Sequence, residues 1–355
     1  MTGQTTQAQD MSLQPSRESV VALPSPEQLA QRLPLTASDK AAIKRSRHDL
    51  RKILRGEDNR LAVVVGPCSI HDVGAALDYA ERLARLQEDV ADTLQLVMRV
   101  YVEKPRTTVG WKGLAYDPHL DGSHDLAFGL EQSRHLMREV VRSGLAVATE
   151  ALSPIVTRYL QDMLSWVAIG ARTTESQIHR EMASGLDAVI GFKNSTEGCV
   201  QIAIDAMRAS RASQMFPTVL PDGRVGMVTT PGNPDTHLIL RGGRQGTNYD
   251  ADSVREASAR MLEAGLRPRL MIDASHGNSG KDYRNQSGVL ASVRTQLAHG
   301  APIMGVMVES FIEEGRQDLT NRDALRYGQS ITDACIGWEQ TRTELSRLAE
   351  VVAAR

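Results

Sequence analysis

From residue 61 onward the chain alternates short apolar runs with longer segments of helical periodicity. The runs are 61–68 (LAVVVGPC), 94–100 (LQLVMRV), 145–150 (LAVATE), 166–172 (WVAIGAR), 188–193 (AVIGFK), 237–242 (HLILRG), 269–276 (RLMIDASH) and 303–310 (IMGVMVES). Most are nearly continuous apolar stretches, the pattern of strands buried on both faces of a parallel sheet. Between them apolar positions recur at helical spacing, as over 73–87, 130–142 and 197–209, and again from Pro154, a natural first-turn proline. Thr-Thr-Glu-Ser at 173–176 and Gly185 supply start and stop signals for another helix. Strands alternating with helices in this way predict an α/β fold, a (β/α)8 TIM barrel, with a doubly wound open sheet as the competing arrangement. One stretch breaks the rhythm. Residues 214–230, two strand-like runs joined by Pro221-Asp222-Gly223, predict a β-hairpin inserted before the sixth strand.

Residues 1–35 are rich in Gln, Ser, Thr and Pro without periodicity and predict a mobile arm. Over 36–60 a helix is expected, capped by Thr36 or Ser38, carrying Ile43, Leu50, Ile53 and Leu54 on one face and ended by Gly56. The barrel then occupies 61–340 and the end of a C-terminal helix 341–355. Charge is almost balanced, with 41 basic and 43 acidic side chains. That argues against a nucleic-acid partner, which calls for a basic excess. The three cysteines are too few for a disulfide framework, no apolar run is long enough for a membrane span, and the N-terminus lacks a signal-peptide core. A soluble, cytoplasmic protein with no membrane partner is expected.

The candidate chemistry lies where the runs stop. Their closing polar residues are Cys68, Arg99, Glu150, Arg172, Lys193, Arg241, His276 and Glu309. Singly, each has an ordinary structural explanation, but in a barrel such strand ends converge on the face where active sites are built. After the second run, Lys104 and Arg106 flank Pro105 and add cations that stability alone does not require. Arg99, Lys104, Arg172, Lys193 and Arg241 suit phosphate and carboxylate groups, whose oxygens match guanidinium forks. Cys68, His276 and Glu309 offer S, N and O donors, a mixed set that fits a divalent transition metal. Schiff-base chemistry on a lysine is disfavoured because both lysines sit among cations. No dinucleotide or P-loop motif occurs.

At these residues the sequence resembles class I 3-deoxy-D-arabino-heptulosonate 7-phosphate (DAHP) synthase of the feedback-regulated bacterial and fungal type. The likeness runs from Leu61 to Trp338 through GPCSIHD, MRVYVEKPRTTVGWKGL, DPHLDGS, AIGARTTESQ, GFKNSTEG, ILRGG, IDASHGNSGKDYRNQ, GVMVES and YGQSITDACIGW. The resemblance implies a metal-dependent transferase that condenses phosphoenolpyruvate with erythrose 4-phosphate, opening the shikimate pathway of aromatic amino-acid biosynthesis. It places one divalent metal ion (Mn, Co, Fe or Zn) on Cys68, His276, Glu309 and Asp333. It puts phosphoenolpyruvate on Arg99, Lys104, Arg172, Lys193 and Arg241, and the aldose phosphate on Lys104, Pro105, Arg106 and Thr107. Lys104 is the expected general acid, its pKa depressed by neighbouring cations; Glu150 is expected to orient the attacking water, and His276 belongs to the catalytic set.

The resemblance further implies an aromatic amino-acid inhibitor (Phe, Tyr or Trp) and a homodimer or homotetramer. Arm, hairpin and the region of Asp187 help form the inhibitor pocket, with the hairpin expected beside the loops carrying Lys193 and Arg241. Asp187 stands where relatives commonly carry Ser, and Ser195 where they commonly carry Gly. The runner-up activity is the related synthase that uses arabinose 5-phosphate. A catalytically silent barrel would be free to lose an Arg or the Cys, and none is missing.

Overall fold

The computed structural model describes residues 20–106 and 109–355. The eight apolar runs form parallel strands: β1 (Leu61–Gly66), β2 (Leu94–Arg99), β3 (Ala146–Glu150), β4 (Trp166–Ile169), β5 (Val189–Lys193), β8 (Thr236–Leu240), β9 (Leu270–Asp273) and β10 (Ile303–Glu309). They close into a barrel in the order β1-β10-β9-β8-β5-β4-β3-β2. The ring is completed because β1 pairs with β2 on one side and with β10 on the other, Gly66 standing opposite Glu309. This excludes the open sheet. Helices α3 (Val73–Val90) to α9 (Gln286–Ala298) and α10 (Trp338–Ala353) cover the outside. The expected hairpin is present as β6 (Gln214–Val219) and β7 (Val225–Thr230), an antiparallel pair outside the barrel.

The pleat sorts each strand into two cores. Ala62 and Val64 of β1, Val97 of β2 and Trp166 of β4 fill the barrel, whereas Val63, Val65 and Leu96 pack against the helices. Leu50, Ile53 and Leu54 of α2 (Ala37–Arg55) join the interior cluster, so α2 plugs the N-terminal mouth. Ion pairs hold the plug: Asp187, before β5, takes Arg47 at 2.7 Å and Arg51 at 2.5 Å, and Asp235, before β8, takes Arg51 at 2.7 Å.

Two boundaries need correction. Of the expected mobile arm, residues 26–32 form the helix α1 (Pro26–Arg32), with Leu29 fully buried. A capping box between Ser25 and Gln28 satisfies its first turn, and the Glu27 N–H donates to Pro221 O in the hairpin turn. Packing holds this helix, which is too short to show periodicity. Residues 1–19 lie outside the described residues. The second correction is at the C-terminus, where α10 starts at Trp338, so a division at residue 340 falls within a continuous helix.

Within the barrel Trp166 Nε1 donates to His237 Nε2 at 2.9 Å, and Gly191 leaves the space for both rings: a Cβ there would lie 2.7 Å from Trp166 and 2.9 Å from His237. Burial lowers the His237 pKa from 6.5 to about 4. The unfolded chain therefore takes up a proton near pH 6.5 that the folded protein refuses until near pH 4. Stability from the neutral ring is complete above the unfolded pKa and falls by about 3 kcal/mol as pH drops across that window. Urea midpoints measured at a series of pH values should show this loss in the parent and a flatter profile in His237→Gln. Parallel profiles would assign the acid sensitivity to other groups.

Candidate active site

The C-terminal ends of the strands surround a cavity of about 680 Å³. Cys68, Arg99, Lys104, Arg106, Glu150, Arg172, Lys193, Arg241, His276, Glu309 and Asp333 all line it. Of the expected site residues only Thr107 has no place there, because it lies outside the described residues. Eight cations line the cavity against three carboxylates, Lys281 and Arg316 being additional to those expected. Such an imbalance in a partly dry space stands ready for anions.

The cations divide into two kinds. Arg99, 1% exposed, donates through Nη2 to Glu309 Oε1 at 3.2 Å and lies 3.9 Å above the Tyr101 ring. Burial pulls its pKa down, but Tyr101, Glu309, Cys68 and Asp273 more than offset this, so the charge is secure. Its Nη1 and the Tyr101 hydroxyl are buried without a protein partner, donors left over for a ligand. Lys193 is likewise buried and paired, 2.9 Å from Asp273. Arg172 and Arg241 form no ion pair among the described residues. Burial lowers the Arg241 pKa, with the like charge of Arg172 adding to the effect. Asn194 Oδ1 fixes the Arg241 backbone by accepting its N–H at 2.9 Å.

At the other side of the cavity, ligand atoms of Cys68, Glu309 and Asp333 lie within 4.8 Å of one another. His276 Nε2 stands 3.7 Å from Glu309 Oε1. Its Nδ1 faces Asp273 at 2.9 Å. His276, Lys193 and Ser275 hold Asp273 well below the usual carboxylate range despite its burial, so that it only accepts. The Ser275 hydroxyl spends its proton on Asp273 Oδ1 at 2.6 Å and so accepts from Nδ1 at 2.7 Å, leaving the Nε2 lone pair free, the orientation of a metal-ligating imidazole. Burial, with the Glu309 charge, pushes the Cys68 thiol up to about 12, a penalty that a divalent cation would relieve. The mixed donor set and its orientation fit a transition metal.

Lys104 corrects one expectation. Its Nζ donates to Cys68 Sγ at 2.7 Å and to Asp333 Oδ2 at 2.9 Å. Burial favours the neutral amine, yet Cys68, Asp333 and Glu309 outweigh it, and the pKa rises instead of falling. The neighbours in space are two carboxylates and a thiol, not the adjacent cations of the chain. Glu150 ends β3 and leans over Gly170, where a Cβ would come within 2.1 Å of Oε1.

Two further groups were not singled out from the sequence. Asp273 sits inside the run RLMIDASH, where the only available signal was an acid three residues before the histidine. Glu103, pushed up to about 7 mainly by burial, accepts from the Ser153 N–H and the Tyr116 hydroxyl and ties the loop after β2 to the start of α5 (Pro154–Leu160).

The hairpin covers a separate cavity of about 310 Å³. Its walls are Phe216, Thr218 and Val228 of the hairpin, Pro154 and Arg158 of α5, and Ile178 and Met182 of α6 (Gln177–Gly185). The loops after Lys193 and Arg241 do not line it, contrary to expectation; α5 and α6 instead follow the strand ends bearing Glu150 and Arg172. Asp187 is also outside its lining, engaged by Arg47 and Arg51. Ser195 is buried, its Oγ accepting the Cys199 N–H at 3.1 Å.

Residues 33–346 match the profile of the DAHP synthetase I family. The Tyr-sensitive phospho-2-dehydro-3-deoxyheptonate aldolase of Escherichia coli K12 is 53% identical over 321 residues, 90% of each chain. The Phe-sensitive enzyme of the same organism is 50% identical over 331 residues, 93% of this chain and 94% of the relative. The solved structure of phospho-2-dehydro-3-deoxyheptonate aldolase from Francisella tularensis SCHU S4 superposes with a TM-score of 0.94 at 43% identity, covering 95% of this chain and 99% of the other.

Proposed function

The chain belongs to the DAHP synthetase I family, and from that premise we propose that it condenses phosphoenolpyruvate with D-erythrose 4-phosphate and water. The products are 3-deoxy-D-arabino-heptulosonate 7-phosphate and inorganic phosphate, the first step of the shikimate pathway. The observation that carries this reading is the cavity's eight cations against three carboxylates, beside a cluster of S, N and O donors. The two substrates together bring about five negative charges, which this excess of cations offsets.

Arg172 and Arg241, free of carboxylate partners among the described residues, take the phosphoenolpyruvate phosphate. Lys193 and Arg99, fixed by Asp273 and Glu309, orient its carboxylate. Arg106 receives the phosphate of the aldose. One divalent metal ion (Mn, Co, Fe or Zn) on Cys68, His276, Glu309 and Asp333 supplies Lewis-acid polarisation of the aldehyde. Lys104 keeps its proton in the resting site and meets the growing negative charge on the aldehyde oxygen with a hydrogen bond; only a base as strong as the forming alkoxide draws the proton away. As C3 of phosphoenolpyruvate attacks, C2 becomes electron-poor, and Glu150 holds the water that adds there. Phosphate then leaves with its bridging oxygen by C–O cleavage.

The hairpin cavity is lined largely by apolar groups with one cation, Arg158, and one carboxylate, Glu181, a combination that suits the ring, carboxylate and ammonium of an aromatic amino acid. We assign to it feedback inhibition by Phe, Tyr or Trp, in a cytoplasmic homodimer or homotetramer. Among the described residues no helix is long and apolar enough to cross a membrane.

Phosphate release tests the whole reading. It should require phosphoenolpyruvate, erythrose 4-phosphate and metal, and should be slowed by one of the three amino acids at millimolar concentration. Equal turnover with arabinose 5-phosphate would favour the related synthase. No release with either sugar would leave a silent barrel, and indifference to all three amino acids would remove the regulatory assignment.

A further inference from the structure

The opposite end of the barrel carries a second concentration of positive charge. A cleft of about 260 Å³ opens between the C-terminus of α2 and the segments leading into β8 and β9. Four arginines line it, Arg55, Arg211, Arg267 and Arg269, against two carboxylates, Glu57 and Asp235. Asp235 is already committed, to Arg51 Nε at 2.7 Å and Arg55 Nη2 at 3.0 Å. Glu57 is exposed and makes no ion pair among the described residues.

Arg269 is the informative member. It is half-buried, and among the described residues its guanidinium has no carboxylate and no hydrogen-bond acceptor. Its nearest charged neighbours are cations: burial lowers its pKa, and Arg267 lowers it further. Arg355, held to Leu297 O at 3.2 Å, is in turn depressed by burial and by Arg269. The local backbone accommodates the side chain. Gly56 closes α2 in the left-handed region at φ +70°, and a Cβ there would stand 1.9 Å from Arg269 Nη2. The remaining arginines are only partly engaged. Arg267 Nη1 donates to Arg55 O, and Arg211 Nη1 donates to Pro234 O at 3.0 Å. Each guanidinium has five N–H donors, so most remain uncommitted.

Like charges held together in a half-dry cleft destabilise the fold unless something neutralises them. Several planar forks around one small space match a tetrahedral oxyanion, which accepts bidentate bonds from more than one side. We propose that this cleft is a binding site for a small phosphate-bearing anion, separate from the strand-end cavity.

Because the strand-end cavity also binds phosphates, the test reads the cleft directly. Full-length protein is labelled with phenylglyoxal, and modification of Arg267 and Arg269 is followed by peptide mass spectrometry. Inorganic phosphate at low millimolar concentration should slow labelling of both by about tenfold, from the occupancy it reaches. The same protection should persist in Arg172→Ala, whose strand-end anion site is impaired, and Arg269→Ser should remove the protection of Arg267. If Arg269→Ser does not fold, Arg211→Ser serves in its place, since that side chain is exposed. Absence of protection, equal protection by chloride at matched ionic strength, or protection of Arg267 surviving in the cleft variants would each overturn the proposal. Protection present without phosphate and lost on dilution would assign the cleft to the acidic surface of a second copy, and would overturn it as well.

Discussion

Cys68→Ala and His276→Ala should each yield a folded barrel that releases phosphate at no more than about a thousandth of the parent rate, a loss of several kcal/mol in transition-state stabilisation. Structure survives because each change is local. Cys68 lies beyond the end of β1, and removing its sulfur costs about 1–2 kcal/mol of packing, well within the stability of a domain of this size. Activity does not survive. In the proposed site Cys68 Sγ would be the thiolate donor, and without it His276, Glu309 and Asp333 would offer one nitrogen and oxygen atoms, which bind a soft transition metal less tightly. Loss of His276 removes the nitrogen that Asp273 orients toward Glu309. Elemental analysis should find both variants depleted of metal, circular dichroism should find them unchanged, and chelation should bring the parent to the same low rate. Parent-like turnover in the Cys68→Ala protein, or in stripped parent, would dismantle the assignment.

Asp273→Asn should be almost as damaging, although Asp273 is not among the donors. Its carboxylate accepts from Lys193 at 2.9 Å and from the Ser275 hydroxyl at 2.6 Å, and it faces His276 Nδ1 at 2.9 Å. Lys193 and His276 Nδ1 both face Oδ2, while Oδ1 accepts from the Ser275 N–H and hydroxyl, so the NH2 of an amide, which can only donate, must displace one of these two sets. Lys193, 3% exposed, then loses its counter-charge, a change of the kind that costs about 3–5 kcal/mol when a buried pair is broken. His276 loses the partner that keeps its proton on Nδ1, and metal affinity should fall by about 10–100-fold. The expected result is a destabilised protein with weaker metal binding and a raised KM for phosphoenolpyruvate. Lys193→Met combined with Asp273→Asn should recover stability without recovering activity. A folded Asp273→Asn protein with parental metal affinity and KM would show that the carboxylate merely fills space.

The strands could be read from the sequence because a parallel barrel buries both faces of each, leaving uninterrupted apolar runs whose polar ends mark the site. Contacts between distant residues could not be read this way. Asp273 matters because Lys193 meets it from 80 residues away, and nothing near either residue announces the pairing. Lys104 has cations near it in the chain, whereas Cys68 and Asp333, distant in sequence, decide its proton affinity. Gly185 and Leu186 line the hairpin cavity, but the Asp187 side chain next to them turns to Arg47 and Arg51, which approach from α2, over 130 positions earlier. Helix α1 escaped notice for another reason. Seven residues show no period, and the helix rests on the Ser25–Gln28 capping box together with its seat against α5 and the hairpin turn.

Closure of the ring by β1 and β10 bears on how the enzyme is made. Cys68 follows the first barrel strand, Glu309 ends the last, and Asp333 lies on a segment bridged to that last strand at Ser310 and Ile336. Cys68 and Asp333 are 265 residues apart in the chain. A ribosome has therefore synthesised nearly the whole polypeptide before these groups can meet, and contacts of such long range form only late in folding. No fragment ending before Asp333 can hold the complete cluster. Catalytic competence arrives in one step with completion of the fold, so an aborted or prematurely released chain contributes nothing to flux.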